Sequence, residues 1–239
     1  MTAVNTLNAV EAAIVKFPKT LVVVLGFFAF SSPGYGQMES PAPSASPSPQ
    51  VSVETLVCIR HGEKTSQELG QLDIQGLNRS LALPKVLLSK YGRPQFIFAP
   101  NPAEALGQDI CYIRPLATIE PTAILCRLPI DTQFGFKDIQ ALESEVRKPI
   151  YQNSVVFIAW EHLMLEKFVR FLVGNLGGDT TKVPVWAHGD FDSIYVIRIK
   201  TQGAKESAAF SLDHEGLDNL SNSYPGPAVP EDLLQAAPQ

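Results

Sequence analysis

The sequence predicts a three-layer α/β sandwich, in which helices cover both faces of a mostly parallel central sheet. Strand signals and helix signals alternate from residue 54 onward, which is typical of a chain built from strand–helix–strand units. The two strongest strand signals, at 55–59 and 154–160, are apolar runs of the kind that a parallel sheet buries on both faces. Amphipathic stretches between the strands have the apolar spacing of helices that pack on such a sheet.

Each predicted element rests on a local pattern of apolar residues and breakers. The predicted strands are 55–59, 96–99, 154–160 and the alternating run 193–199. The predicted helices are 76–91, 115–125, 138–148 and 163–176. Pro84 is expected to kink or split the first helix, because proline lacks the amide that the helical ladder needs. From about residue 202 the chain has little periodicity, which predicts a loosely structured tail.

The folded domain is predicted to span residues 54–239, behind a signal and a linker. Residues 1–36 have the order of a secretory signal, with Lys16 and Lys19 ahead of the apolar run 21–30 and small residues before a cut. An uncleaved N-terminal anchor is the alternative. Residues 37–53 are rich in proline and serine, which favours an extended linker. We therefore expect export to the periplasm or beyond the cell, with a membrane tether if the signal is retained.

The composition excludes some classes of binding partner but does not decide whether the cysteines form a disulfide. A net charge of −5 over 239 residues provides no electrostatic basis for binding nucleic acid or an anionic membrane. Beyond the N-terminal segment no integral membrane domain is expected, and the oligomeric state cannot be predicted. Cys58 is expected to be a buried thiol, whereas Cys111 and Cys126 could be paired or free.

Polar residues follow both buried strands directly, as Arg60-His61-Gly62-Glu63 and as Glu161-His162. Ligands of such sheets bind beyond the carboxyl ends of the strands. Neutral imidazole is a nucleophile toward phosphorus, and arginine offers phosphate a planar fork of donors that stays charged. These residues predict a phosphoryl-transfer site with His61 as nucleophile, Arg60 as phosphate ligand and His162 as a hydrogen-bond donor across the phosphate.

The predicted helix 115–125 adds a second arginine to the candidate phosphate site. Arg114 precedes a predicted helix, and both its guanidinium and the free amides of a helix start attract phosphate. The string His188-Gly189-Asp190-Phe191-Asp192 has the look of metal ligands, but a closed metal site also needs ligands from elsewhere in the chain. We interpret that string as the turn into the strand at 193 and predict no metal site.

These motifs resemble the histidine phosphatase superfamily. The resemblance rests on Arg60-His61-Gly62-Glu63, on Arg114 four residues before Thr118, and on His162 after an apolar strand, in the order of that family. The segment 76–84 also resembles the helix that follows the first motif. The fold that the resemblance implies is the phosphoglycerate-mutase-like sandwich.

The resemblance also implies a mechanism. His61 would take the phosphoryl group of a small-molecule phosphate ester as a phosphohistidine, which water would then hydrolyse. Arg60, Arg114 and His162 would complete the phosphate pocket. Neither a metal nor an organic cofactor would be needed.

The proton donor for the leaving group is the part that the motifs do not assign. One branch of the family carries an acidic residue in a loop after the pocket arginine, and the candidates here are Asp131, Asp138, Glu143 and Glu161. The lead hypothesis is an exported phosphomonoesterase. The alternative is a non-catalytic module of the same fold that binds phosphate or another anionic ligand, and a mutase is a third option. The substrate would be set by a lid formed by residues 64–74 and 100–113.

Overall fold

The computed structural model describes residues 50–67, 69–104 and 110–234. The predicted signal, nearly all of the predicted linker and parts of both predicted lid segments therefore lie outside the described residues. Within the described ranges, no helix is both long and apolar enough to cross a membrane.

A five-stranded sheet forms the centre of the described part of the chain. Its strands are β1 (Val51–Arg60), β2 (Phe96–Phe98), β3 (Val155–Trp160), β4 (Ser193–Gln202) and β5 (Lys205–His214). Their order across the sheet is β2-β3-β1-β4-β5. The strands β1, β2 and β3 are parallel, and β4 is antiparallel to both of its neighbours, so β4 alone points the other way. The predicted, mostly parallel sheet is confirmed.

Helices cover both faces of this sheet, as predicted. They are α1 (Ile74–Tyr91), α2 (Arg114–Cys126), α3 (Ile139–Val146) and α4 (His162–Asn175). A further short helix, α5 (Glu231–Leu234), has no buried residue. One apolar cluster joins the sheet to α1 and α2, and a second joins its other face to α3 and α4. The three layers are therefore α1 and α2, the sheet, and α3 and α4.

Strand alternation explains why β1 is a continuous apolar run. Leu56 and Cys58 point into the cluster with α3 and α4, whereas Val57 and Ile59 point into the cluster with α1 and α2. All four side chains are fully buried. A strand that is covered on both sides needs apolar residues at every position, and its polar residues then appear only where the covered part ends.

Two boundary predictions are wrong. β1 begins at Val51, inside the segment assigned to the linker, because residues 51–53 pair with the end of β4. The tail is ordered at its start, since β5 pairs with β4 along its whole length. β5 has mostly exposed or half-buried side chains at the sheet edge, so its sequence carries little apolar signal.

The structure shows that Pro84 does not split its helix and which of the two states left open for Cys111 and Cys126 is present. Pro84 lies within α1, and the helix is not split there, because its buried neighbours Leu83 and Leu87 hold that face against the sheet. All three cysteines are free thiols, so Cys111 and Cys126 form no disulfide. Cys58 is fully buried, as predicted.

Candidate active site

His61 lies at the carboxyl end of β1, and its ring has the tautomeric state that a nucleophile requires. Its side chain is buried, and its backbone amide donates to the carbonyl of Trp160 at 3.0 Å. The ring Nδ1 lies 2.8 Å from the carbonyl oxygen of Gly62. Because a carbonyl can only accept, Nδ1 must carry the hydrogen, which leaves a free lone pair on Nε2.

The surroundings of His61 keep its imidazole neutral. Burial lowers the pKa of His61 to about 3, and the charges of Arg114 and Arg60 act in the same direction. The hydrogen bond to Gly62 and the charge of Glu161 oppose this shift without cancelling it. At neutral pH the ring is therefore unprotonated and able to attack.

Arg60 is held by the loop that leads into β4. Its Nη1 donates to the carbonyl oxygens of His188 at 2.6 Å and of Asp190 at 2.9 Å, and its Cζ lies 3.9 Å from the centre of the Phe191 ring. Burial lowers the pKa of Arg60 to about 10, so it remains a cation at neutral pH. The guanidinium is thus fixed beside His61 before any ligand arrives.

The same loop is the turn that the sequence predicted. His188 and Gly189 form a turn, and the Asp190 carboxylate accepts from the amide and the hydroxyl of Ser193 at 3.0 and 2.6 Å. Across the described ranges, no group of three or more His, Cys, Asp or Glu side chains is arranged to hold a metal ion. The acidic residues of this loop shape the turn.

Thr118 links Arg114 to the first motif. Arg114 begins α2 and is buried, and its Cζ lies 5.1 Å from the centre of the Tyr112 ring. The Thr118 hydroxyl donates to the carbonyl of Arg114 at 2.8 Å and accepts from the amide of Gly62 at 2.9 Å. Residues four apart share one face of a helix, so Arg114 lies on the face of α2 that contacts the motif through Thr118, and its charge acts on His61.

His162 is the first residue of α4, at the end of the strand next to β1. In the pairing of β1 with β3, Arg60 lies opposite Trp160, so the residues that follow both strands meet at one edge of the sheet. His162 is buried, and its Nδ1 is 2.6 Å from Oε1 of Glu161. The structure therefore brings His61, Arg60 and His162 together at this edge.

Glu161 is an ionised carboxylate within this group. It caps α4 by accepting from the amides of Leu163 at 3.0 Å and Met164 at 2.9 Å. Burial alone would raise the pKa of Glu161, but His162 and the two amides lower it to about 2. Its charge acts on Arg60 and His61, which places it at the site. An ionised carboxylate cannot protonate a leaving group.

Glu143 lies far from the two histidines. Its Oε1 accepts from Asn175 at 3.0 Å, at the last residue of α4. His162 is the first residue of that helix, and a rise of 1.5 Å per residue separates the two ends by about 20 Å. Glu143 is therefore excluded as the proton donor for a group held by His61.

Asp131 and Asp138 are engaged in loop hydrogen bonds. Asp131 pairs with Phe98 on the side of β2 away from β3, which puts it about three strand spacings, or roughly 14 Å, from β1. Its carboxylate accepts from the amide and the side chain of Gln133. Asp138 accepts from the amide of Gly135 in the loop before α3. Of the four predicted carboxylates, only Glu161 lies beside the histidines.

A close backbone approach fixes the exit from β1. A Cβ atom on Gly62 would lie 3.0 Å from the Cα of Gly76, and one on Gly76 would overlap the carbonyl oxygen of Glu63. Arg79, which is fully buried, donates to Glu63 at 2.7 Å and to Glu215 at 2.5 Å. The last residue of the motif is therefore an anchor for α1.

Sequence reasoning missed the aromatic walls of the site. The Tyr112 ring centre lies 6.1 Å from that of His61, and the Phe191 ring centre lies 6.2 Å away on another element. His188 also lies near the site, with its ring centre 5.4 Å from that of His162. The sequence offers one signal for Tyr112, its position two residues before Arg114.

Comparison with known proteins returns matches among solved structures. No protein-family model and no curated protein matches the chain. A protein provisionally named phosphohistidine phosphatase SixA, from Nakamurella multipartitia, is 17% identical over 68% of this chain and 96% of its own, with a TM-score of 0.46.

Two further structures are similar at lower identity. A phosphoglycerate mutase from Plasmodium falciparum is 11% identical over 66% of this chain and 89% of its own, with a TM-score of 0.43. A mutant phosphoserine phosphatase from Entamoeba histolytica, in complex with phosphoserine, is 11% identical over 70% of this chain and 99% of its own, with a TM-score of 0.42. The solved structures to which this chain is similar thus include phosphatases and a phosphoglycerate mutase.

Proposed function

We propose that this protein is an exported phosphatase that hydrolyses a phosphomonoester through a phosphohistidine intermediate on His61. The observation that carries the proposal is a buried imidazole with Nδ1 bonded to a carbonyl, beside two buried arginines at one edge of the sheet. Export rests on the N-terminal sequence alone.

In the first step, Nε2 of His61 attacks the phosphorus atom. The N–P bond forms as the ester P–O bond breaks, and the leaving oxygen departs with the bonding electrons and takes a proton from water. Arg60 and Arg114 stabilise the charge on the phosphoryl oxygens. In the second step, water attacks the phosphohistidine, which releases phosphate and restores the neutral ring.

His162 supplies a further donor to the phosphoryl group. In the imidazolium form, the Nδ1–H of His162 faces the Glu161 carboxylate at 2.6 Å, and its Nε2–H can donate toward the substrate. Glu161 sets the orientation of the ring, as a carboxylate does for a histidine in other catalytic pairs.

Turnover of an activated aryl phosphate tests the proposal. The wild type should hydrolyse nitrophenyl phosphate in the presence of a metal chelator, and vanadate should inhibit the reaction. His61→Asn should abolish turnover, whereas His214→Asn, an exposed histidine at the end of β5, should retain it. Hydrolysis at the full rate by the His61→Asn variant would rule out the proposed nucleophile.

The ionised Glu161 also favours a second candidate, a module that binds phosphate without turnover. Its carboxylate accepts from two amides of the α4 N-terminus and stays ionised, so it cannot serve as the acid that turnover of an ordinary ester needs. Calorimetric binding of phosphate, together with no hydrolysis across a panel of phosphate esters, would support this module over the enzyme.

A further inference from the structure

Tyr112 is fixed against the nucleophile by two aromatic contacts and a backbone bond. Its ring lies edge-on to His61, at 6.1 Å between centres and 83° between planes. Its other side packs on the Phe136 ring at 5.2 Å, and its amide donates to the carbonyl of Glu104. The side chain is completely buried, so the position of its hydroxyl is determined by the protein.

The hydrogen of the Tyr112 hydroxyl has no acceptor among the described residues, although the hydroxyl is buried. The charges of Arg114, Glu161 and Arg60 all act on this hydroxyl, which places it among the charged groups of the site. The Arg114 guanidinium interacts with this hydroxyl, and because a guanidinium can only donate, it leaves the hydroxyl hydrogen without an acceptor. A buried hydroxyl whose hydrogen has no acceptor is unfavourable, and phenylalanine would fill the same space without that cost.

We propose that the Tyr112 hydroxyl donates a hydrogen bond to a phosphoryl oxygen of the bound ligand. Tyr112 is then the fourth side chain, with Arg60, Arg114 and His162, that holds the tetrahedral oxyanion. This inference rests on the proposed phosphate site and adds a binding residue to it.

The chemistry of the hydroxyl suits this role. Burial raises the pKa of Tyr112 well above its usual range, so the phenol stays protonated at any working pH and acts only as a donor. Phosphoryl oxygens are acceptors, and they would supply the acceptor that the hydroxyl hydrogen lacks in the free protein.

The substitution Tyr112→Phe removes only this hydroxyl. Binding of inorganic phosphate and of vanadate, measured by calorimetry, should weaken about 10- to 100-fold, as expected for one hydrogen bond to a charged group. The melting temperature should fall by less than that of Tyr91→Phe, described below, because the Tyr112 hydroxyl donates to no group in the free protein. A role in packing alone would change the melting temperature and leave oxyanion binding intact.

Tyr91→Phe is the matched control. The Tyr91 hydroxyl donates to Asp213 at 2.6 Å, at the end of α1 away from the motif. This variant should melt at a lower temperature and bind vanadate as the wild type does.

The outcomes separate this inference from the proposed function. Equal vanadate affinity in the wild type and Tyr112→Phe would overturn the inference, as would a loss of melting temperature as large as that of Tyr91→Phe. A wild type that binds vanadate but hydrolyses no ester would overturn the phosphatase proposal. The comparison with Tyr112→Phe would still decide whether Tyr112 binds the oxyanion. A wild type that binds neither oxyanion would overturn both.

Discussion

The neutral state of His61 predicts how the stability of the protein depends on pH. An unfolded histidine has a pKa of about 6.5, whereas burial lowers that of folded His61 to about 3. Between these values the unfolded chain binds a proton that the folded chain does not, so protonation favours unfolding. The neutral ring therefore makes its full contribution to the free energy of unfolding above about pH 6.5. That contribution is lost as the pH falls toward 3.

The size of the effect follows from the shift. One pH unit within this interval changes the free energy of unfolding by about 1.4 kcal/mol, so acidification by two units costs about 2.7 kcal/mol from His61 alone. Carboxylates titrate in the same range, and their contribution has to be removed. His61→Asn removes the titrating group and keeps a side-chain amide that can donate to the Gly62 carbonyl.

Urea unfolding of both proteins at about pH 4.5, 5.5, 6.5 and 7.5 measures the effect. The difference in unfolding free energy between wild type and His61→Asn should change by about 1.4 kcal/mol per unit below pH 6.5 and stay constant above it. A constant difference over the whole range would mean that folded His61 titrates normally. The reasoning that the structure presets a neutral nucleophile would then be refuted.

Three further predictions concern the support of the site and its chemistry. Arg79→Leu leaves buried carboxylates without their cation and should cost about 3–5 kcal/mol in urea unfolding, whereas Lys90→Met, which breaks a half-exposed pair, should cost under about 1 kcal/mol. Gly76→Ala places a methyl group against the carbonyl of Glu63 and should lower stability by about 1–3 kcal/mol, while Gly189→Ala, with open space around it, should not. Because no predicted carboxylate is placed as an acid, kcat/KM should fall about 100-fold or more from nitrophenyl to phenyl phosphate; similar rates would indicate a proton donor.

The sequence predicts the layers well because β1 and β3 are buried on both faces. Their apolar runs require cover from both sides, and α1, α2, α3 and α4 provide it. β5 escapes prediction because an edge strand buries few side chains. Its order comes from backbone pairing with β4, which leaves no apolar pattern in the sequence.

The sequence also predicts part of the site, namely the residues that follow the buried strands. Arg60, His61 and His162 directly follow buried strands, so the rule for parallel sheets places them together. The support of Arg60 by Phe191 and His188 joins residues more than a hundred positions apart, and no local pattern signals it. The choice among four carboxylates needed the geometry of the loops and of α4, which sequence spacing does not give.

The most direct test of the central claim is to trap the intermediate. Wild-type protein is mixed briefly with a radiolabelled phosphate ester and quenched, and the label that stays on the chain is tested for stability in acid and in base. A phosphohistidine on His61 predicts up to one label per chain, stable in base and lost in acid, and no label on the His61→Asn variant. Hydrolysis by the wild type without such a label, or an equal label on the variant, would contradict the mechanism.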